Sequence, residues 1–430
     1  MHRLIFLEPG HFHAALTLRE RHPLVSDEIT VYVTAGPADG GHEGRDAGEF
    51  LGLVEAFNRR ARQPTAWRPV LRAGKEPLAR LLAERPGDVV ILAGKNDRKL
   101  QQVRVLHDGG LHVLADKPWI TRASAVADVR HVLGGGARVM EIMTGRHAPA
   151  SRVAERLVGE PEIFGGFDAS AGPAIRLVSV HHLEKTVNGA PLRRPPWFFD
   201  VRVQGDGLAD IPTHLVDQVQ RFLAASGREA DPIELLSARR WSTPVPLAVF
   251  GRVTGLSDFP PDLRRDTRGD ALLYAGNAEL SVRVGGVEAH LATRWDLTEP
   301  AGGGDVHYTM VSGTGARVRL EQGPDTAFRR RLLVEPRADR SRVDAALTRA
   351  VAAWQSEYPG IAAVPAADGY DIRVPPGPGS EHESQFPLVL DEFLRSLDER
   401  AWLDRRAAHT LAKYELIARA LASADIPPRA

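Results

Sequence analysis

The sequence has 430 residues, too many for one ordinary hydrophobic core, and therefore predicts two lobes. Lysine plus arginine and aspartate plus glutamate each number 55, so no net field favours nucleic acid or a membrane surface as the partner. Cysteine is absent, which excludes disulfides, thiolate zinc sites and a cysteine nucleophile. Because no net charge favours a polyanion, we expect the partner to be a small molecule. The first apolar run, residues 4–7, is too short for a signal or membrane segment, so we expect a cytoplasmic protein.

Residues 1–145 alternate short apolar runs with helical stretches. The runs lie at 4–7, 29–33, 88–94, 111–115 and 138–143, and residues 35–70 stay unassigned. Short apolar runs separated by helices are typical of strands buried on both faces of a parallel sheet. We therefore predict an α/β domain of the doubly wound Rossmann type over 1–145, with its site outside the carboxyl ends of the strands.

The turn after the first run, "LEPGHFHAAL", retains part of a dinucleotide fingerprint. Gly10 stands at the middle glycine position, while Glu8 and His13 stand where the first and third glycines would be. We expect Gly10 to let the backbone approach a pyrophosphate, and a helix over 13–22 that opens near His11 and Phe12 to offer its amides to that anion.

The "HFH" triplet also permits a metal interpretation, because two imidazoles at i and i+2 can converge from a loop. The sequence shows no carboxylate or third histidine with ligand-like spacing nearby, so we expect no metal. A packed helix-start residue is the alternative for His13.

The runs at 29–33 and 88–94 supply the other candidate cofactor contacts. "VYVTAG" ends without the acid that would read a ribose, which makes Thr34 the candidate there and leaves NAD or NADP open, with NAD favoured. At the end of the run at 88–94, Ala93, Gly94 and Asn96 are placed to line the nicotinamide ribose. Asn96 is equally explained as the N-cap of a helix that ends near Gly109.

The run at 111–115 ends in "ADKPW", at the edge of the predicted sheet where ligands bind. Lys117 there would be partly desolvated beside Asp116, ready to donate to a substrate oxygen, with Pro118 fixing the turn. The alternative is a surface turn that carries a solvated ion pair.

From about residue 146 the pattern changes to longer segments with period two. They are "IRLVSVHHLE", "FFDVRVQG", "LLYAGNAELSVRV", "VEAHLATRWDL", "VHYTMVSG" and "ARVRLEQG". We predict a second α+β domain over 146–430 with a mostly antiparallel open sheet, and a C-terminal helical segment that packs back across the lobes. Exposed faces of the open sheet favour association of copies through it.

Polar and aromatic side chains of this second part suit a polyhydroxylated, uncharged substrate such as a sugar. The candidates are Arg146, His147, Lys185, Asn188, Trp197 and Asp200. Each of them alone could be structural.

"DIPTHLVDQVQRFL" predicts a helix with Pro212 in its first turn. Asp210 and His214 are four residues apart, so both side chains can project from the same side of its amino-terminal end. A histidine suits accepting a hydroxyl proton near neutrality, and a carboxylate can orient it, with Asp217 as a further partner. Taken alone, the spacing also fits a structural role.

Together, the "DKP" and "D-x-x-x-H-x-x-D" motifs closely resemble the Gfo/Idh/MocA family, the glucose-fructose oxidoreductase and inositol dehydrogenase group, over residues 1 to about 220. Beyond that, the chain looks like a bacterial branch with its own C-terminal domain type. The resemblance implies that Lys117 matches the family's lysine and contacts the cofactor together with Asp116, which replaces the usual glutamate. It also implies that Asp210 and His214 are the family's acidic residue and base.

The resemblance implies an NAD(P)-dependent oxidoreductase that acts on a CH–OH group of a sugar, sugar derivative or cyclitol. Two alternatives stay open. One is a glycoside-cleaving enzyme that uses tightly bound NAD for a transient oxidation. The other is a non-catalytic sensor that keeps the fold, because a fold alone does not fix a function.

Overall fold

The computed structural model describes residues 1–35, 42–187, 190–228, 232–397 and 400–423. The chain divides into two compact units. Unit 1 contains Met1–His147 and Glu381–Ala418, and unit 2 contains Ala148–Ser380 and the chain from Arg419 onward.

Unit 1 contains a six-stranded parallel sheet of order β3-β2-β1-β4-β5-β6 among the described residues. The strands are β1 Leu4–Leu7, β2 Glu28–Thr34, β3 Arg68–Gly74, β4 Val89–Leu92, β5 His112–Asp116 and β6 Val139–Ile142. All residues of β1, β4 and β6 are buried, as expected of strands covered on both faces. The order reverses between β1 and β4, where such sheets bind ligands beyond the strand ends. The Rossmann prediction is confirmed.

The helices of this part of the chain are α1 His13–Leu16, α2 His42–Arg59, α3 Pro77–Glu84, α4 Lys99–Asp108 and α5 Val126–Leu133. The unassigned stretch 35–70 therefore contributes α2 and the start of β3, while 36–41 lie outside the described residues. The helix expected over 13–22 is wrong in length. The Thr17 hydroxyl donates to the Ala14 carbonyl at 2.7 Å, an alternative to the helical ladder that favours ending the helix.

The helix after β4 begins at Lys99 rather than at Asn96, so the N-cap interpretation of Asn96 is wrong. Arg98 is the capping position and makes no side-chain cap. The exit at Gly109 and Gly110 is as expected, with Gly110 at φ +76°, a left-handed conformation that glycine adopts without strain.

Unit 2 follows with helices and strands in mixed order. Its helices are α6 Pro149–Gly159, α7 Pro161–Phe164, α8 Val201–Gln204, α9 Pro212–Ala225, α10 Leu247–Thr254, α11 Pro261–Arg264 and α12 Arg340–Ala353. Its strands are β7 Ile175–Glu184, β8 Thr186–Val187, β9 Ala190–Pro191, β10 Ile233–Pro246, β11 Thr267–Arg268, β12 Ala271–Val284, β13 Val287–Thr298, β14 Val306–Ser312, β15 Ala316–Gln322, β16 Arg331–Pro336, β17 Ala362–Ala366 and β18 Gly369–Arg373.

The main sheet of unit 2 has the order β10-β12-β13-β7-β14-β15-β16-β18-β17, with β11 beside β12. Its pairs are antiparallel except for β13 and β7, which confirms a mostly antiparallel sheet. The strand expected at "FFDVRVQG" is wrong. The Asp200 carboxylate accepts from the Arg202 backbone N–H at 2.9 Å, which caps α8 and sets the segment into a helical turn.

The C-terminal helices are α13 Gln385–Ser396 and α14 Arg400–Ser423. The domain expected over 146–430 needs correction, because Glu381–Ala418 belong to unit 1. One face of α13 is apolar and joins the core around β1 and β2 through Phe386, Val389, Leu390, Phe393 and Leu394. Burial of this face against the parallel sheet explains the assignment. Within the described residues, no helix combines the length and apolarity needed to cross a bilayer.

Candidate functional site

A cavity of about 240 Å³ opens at the carboxyl edge of the parallel sheet. Four of the predicted cofactor residues line it: Gly10, Thr34, Ala93 and Gly94. Its walls also include Glu8, Lys99 and Gln102, which the sequence interpretation did not assign to the site. The cavity lies where a doubly wound sheet holds a dinucleotide, so these residues form the candidate cofactor site.

The turn after β1 and the end of β4 approach each other closely at this cavity. The His11 backbone N–H donates to the Ala93 carbonyl at 3.1 Å. A Cβ at Gly94 would lie 2.7 Å from the Glu8 carbonyl and 3.3 Å from the Gly10 nitrogen, so only glycine fits without a shift. Such backbone approach is the reason that glycines occur beside a bound pyrophosphate.

Replacing Gly94 with alanine is expected to weaken nucleotide binding at least tenfold, because the β1–α1 turn must move away. Titration of the purified variant with NAD and NADP measures the loss. Gly136, where an added Cβ meets nothing, provides the matched Gly136→Ala control. Unchanged affinity in Gly94→Ala would show that the close approach does not matter for the ligand.

A buried lysine connects the cavity with the end of β5. Lys99 is 1% exposed, and its ammonium donates to the Asn96 side-chain oxygen and, at 3.0 Å, to the Asp116 carbonyl. Asn96 is buried by this contact rather than used as a helix cap. In the sequence, the feature that could have indicated this contact is Lys99 itself, which lies three residues after Asn96 in the first turn of the helix that follows β4.

His11, His13 and Asp116 form a cluster at the ends of β1 and β5. His13 Nδ1 lies 2.8 Å from Asp116 Oδ2, and His11 Nδ1 lies 3.9 Å from the same oxygen. Burial and the neighbouring His13 lower the pKa of His11 well below its ordinary value. Burial would raise the pKa of Asp116, but His13, Lys99 and His11 hold it below its usual range, so the carboxylate stays ionised.

Asp116 is thus the carboxylate that the sequence interpretation found lacking beside the "HFH" triplet. One ligand atom from each of the three side chains lies within 4.8 Å of the others, a spacing that can hold a metal ion. The absence of metal stays a prediction, which the metal content of the purified protein tests. The ring of His13 also packs against that of Phe386, with 4.6 Å between the ring centroids. This contact agrees with the alternative interpretation of His13 as a packed residue at the helix start.

The "DKPW" turn at the end of β5 is anchored by α14. Trp119 donates its backbone N–H to the Tyr414 hydroxyl at 2.8 Å, and the two rings stack 5.7 Å apart. Tyr414 in turn donates to Glu141, which also pairs with Lys413. Burial and the Glu141 carboxylate raise the pKa of Tyr414 well above its ordinary value. Lys117 is partly exposed and lies two residues before Trp119, the residue that these contacts hold. The peptide bond between Lys117 and Pro118 is cis.

Four predicted residues of unit 1 lie around these features. Phe12 is 40% exposed on the β1–α1 turn. Asp116 accepts the Lys117 backbone N–H at 3.0 Å. Arg146 and His147 lie in the 3₁₀ turn Thr144–His147, where His147 Nε2 contacts Glu392 of α13 at 2.9 Å. That contact occupies one nitrogen of the His147 ring.

In unit 2, α9 begins at Pro212 as predicted and holds His214 in its first turn. Asp210 precedes the helix, is 4% exposed, and accepts from the Gln204 side-chain amide at 3.3 Å. Asp217 is buried and accepts from Arg221 Nε at 3.2 Å. A buried acid and a partly exposed histidine thus lie at one end of one helix, as the motif predicts.

An arginine that the sequence interpretation missed lies near Asp210. The Arg194 guanidinium lies 4.5 Å from the Phe198 ring centroid and 5.1 Å from that of Trp295. It also donates to two carbonyls at the end of β7. Contacts of this kind hold the planar cation in one orientation.

Tyr274 of β12 completes the surroundings of Asp210. Burial and the Asp210 carboxylate raise the pKa of Tyr274, so its hydroxyl stays protonated and able to donate. Burial lowers the pKa of Arg194, while Tyr274, Asp305 and Asp210 oppose that effect. These groups come from distant parts of the sequence, and no local spacing pointed to them.

Lys185 is the predicted substrate residue with the most extensive contacts. Its ammonium lies 2.7 Å from Asp305 Oδ2, which also lies 3.0 Å from His181 Nδ1. The Ser179 hydroxyl then bridges His181 and His307, at 2.8 and 2.9 Å. Burial lowers the pKa of His307 to about 3, so that imidazole is neutral near pH 7.

The remaining predicted substrate residues behave differently. Trp197 is partly buried, and its indole N–H finds no acceptor within the described part of the chain. The Asp200 carboxylate caps α8 and pairs with Arg202 Nε at 2.7 Å, which explains its burial without a ligand. Asn188 lies outside the described residues.

Comparison with known proteins gives matches to oxidoreductases. The family model "Putative oxidoreductase C terminal domain" matches residues 153–425. A "putative oxidoreductase" of known structure from Parabacteroides merdae ATCC 43184 is 33% identical, with 98% of this chain and 97% of that chain covered and a TM-score of 0.88. No curated protein matches the chain.

Two more distant structures share the fold. A 3-ketoreductase from Actinomadura kijaniata, solved with NADP and TDP-benzene, is 15% identical, with 98% and 97% of the two chains covered and a TM-score of 0.55. A structure described as a "putative myo-inositol dehydrogenase" from Sinorhizobium meliloti 1021 is 13% identical, with 98% of each chain covered and a TM-score of 0.53.

Proposed function

Because the chain belongs to the Gfo/Idh/MocA family of oxidoreductases, we propose that it transfers a hydride between NAD or NADP and a carbinol carbon of a sugar, sugar derivative or cyclitol. The observation that carries this proposal is Lys117, placed directly after β5 in a sheet of order β3-β2-β1-β4-β5-β6. Ligands of such sheets bind outside the carboxyl ends of the strands. The NADP held by the Actinomadura kijaniata 3-ketoreductase supports a nicotinamide cofactor here.

The cavity of unit 1 fits a dinucleotide. Gly94 and Gly10 leave its floor without side chains, so a pyrophosphate can approach the backbone. Lys99 and Gln102 add an ammonium and an amide beside it. The Thr34 hydroxyl, which donates to Glu8, adds an oxygen that can accept. A nicotinamide bound there would accept the hydride that leaves the carbinol carbon.

The side chains have separate roles in this proposal. His214 takes the hydroxyl proton as the carbon–oxygen bond becomes a carbonyl, and returns it in the reverse direction. Lys117 hydrogen-bonds a substrate oxygen and stabilises the charge that develops on it. Asp210 orients the base, while Asp116 accepts the Lys117 backbone N–H and fixes the turn.

Unit 2 supplies the polar groups proposed to bind the substrate. Arg194 and Tyr274 near Asp210, and Lys185 with Asp305, offer donors and acceptors for several hydroxyls. The buried rings of Phe198 and Trp295 hold the Arg194 guanidinium in place. Arg146, His147 and Trp197 stay candidates for further contacts. We also propose that the protein is cytoplasmic and that its copies associate through the open sheet. Analytical sedimentation of the purified protein tests the association.

The deciding experiment identifies the nucleotide first. The purified full chain is denatured and the supernatant analysed for NAD(H) and NADP(H), and the apoprotein is titrated with both. Sugars, cyclitols and glycosides are then screened for a change in nicotinamide absorbance. If the protein neither releases nor binds a nucleotide, the proposal is overturned. A glycoside cleaved without net change of the nucleotide would instead identify transient oxidation as the reaction.

A further inference from the structure

A carboxylate lies at the end of β2, where doubly wound domains bind the adenosine ribose, although no residue of β2 supplies it. In doubly wound domains, an acid at the end of the second strand accepts hydrogen bonds from the ribose 2′-hydroxyl. Here β2 ends in Thr34 and is followed by Ala35. The Thr34 hydroxyl donates to Glu8 Oε1 at 2.7 Å, so a carboxylate from the β1 turn lies at this strand end.

The backbone of Glu8 is held in an unusual conformation. Its φ of +47° lies in the left-handed region, which side chains other than glycine rarely adopt. The fingerprint usually has glycine at this position. A glutamate kept there at the cost of strain is typical of a functional position.

Both carboxylate oxygens of Glu8 are positioned at the cavity. Oε1 accepts from Thr34, and Oε2 accepts from Gln102 Nε2 of α4 at 3.2 Å. All three residues line the cavity. Each carboxylate oxygen can accept more than one hydrogen bond, so capacity for a ribose diol remains.

We propose that Glu8 reads the adenosine ribose of the cofactor and makes the protein select NAD over NADP. This inference rests on the proposed function. The two ribose hydroxyls of NAD donate to the Glu8 carboxylate, which replaces the acid that β2 lacks. The 2′-phosphate of NADP removes one donor and brings a like charge against the carboxylate, so NADP is rejected.

A cation that follows β3, the neighbour of β2, offers a competing outcome. Lys75 is exposed and directly follows Gly74, whose backbone pairs with Thr34 in the β2–β3 ladder. A 2′-phosphate that reached Lys75 would favour NADP instead. The Lys75→Ala variant therefore separates the two possibilities, because it matters only if a phosphate is bound there.

The experiment measures the Kd of NAD and of NADP for the purified full chain and its variants. Wild type is expected to bind NAD more tightly, and Glu8→Gln, which keeps the side-chain shape, is expected to reduce the NAD-to-NADP preference roughly tenfold or more. Glu28→Gln, at the exposed opposite end of β2, and Lys75→Ala are expected to leave the preference unchanged. Thermal unfolding confirms that each variant is folded.

Tighter binding of NADP by wild type, or a preference unchanged in folded Glu8→Gln, would overturn this inference and leave the proposed function intact. A preference for NADP that is lost in Lys75→Ala would also overturn this inference and leave the proposed function intact. It would identify Lys75 as the residue that binds the 2′-phosphate. If neither nucleotide binds to folded wild type, the proposed function fails, and this inference fails with it.

Discussion

Replacing Lys117 with alanine is expected to lower kcat about a hundredfold or more, the usual contribution of a group that assists proton transfer at the reacting oxygen. The loss should fall mainly on kcat rather than on the KM of the nucleotide, since the cavity walls do not include Lys117. Steady-state kinetics with the substrate found in the screen measure both constants.

The matched control is Arg122→Ala, which removes an exposed cation five residues further along the same segment. It should keep the wild-type kcat. Circular dichroism and thermal unfolding should show that Lys117→Ala is folded, because the variant keeps the contacts of Trp119 with Tyr414 that hold the turn. Wild-type turnover in Lys117→Ala would make the lysine a turn residue only.

Replacing His214 with alanine is expected to lower kcat for alcohol oxidation about a hundredfold or more and to remove the alkaline rise in the rate. An imidazole accepts a proton only when neutral, so oxidation should accelerate as the pH rises through its titration. Without the imidazole, the rate should be low and depend little on pH in that range. The measurement is the pH profile of kcat for wild type and variant.

His290→Gln is a suitable control in the same unit. His290 is a partly exposed histidine of β13, and the side-chain hydrogen bond described for it is the one with Ser281. Its variant should keep the wild-type profile. A His214→Ala enzyme that still shows the alkaline rise would assign the base to another group, and Asp210→Asn would then be the next variant to test.

Much of the fold of unit 1 could be predicted, because its strands are continuous apolar runs. Such runs are short, local and unambiguous where a sheet is covered on both faces, as at β1, β4 and β5. The stretch with α2 and β3 was not assigned, because β3 alternates exposed and half-buried residues rather than forming an apolar run. The "FFDVRVQG" segment looked like a strand, and only the Asp200 cap shows why it turns.

The residues of the candidate site also fall into those that the sequence could predict and those that it could not. Lys117, Asp210 and His214 were recognised because their motifs are contained in short segments. Glu8 was seen only as a missing glycine, since its contact with Thr34 joins residues 26 positions apart. Arg194 was missed because nothing in its neighbourhood indicates what it meets after folding.

The sequence by itself determined which segments are buried strands, where the candidate catalytic motifs lie, and that two lobes are present. These properties depend on local composition and on periodicities of two or 3.6 residues. Only the tertiary structure decided which side chains meet. It pairs Trp119 with Tyr414 across 295 positions and joins α13 to the core of unit 1. Such contacts depend on the burial of whole faces and on chain crossings, which no short window of sequence contains.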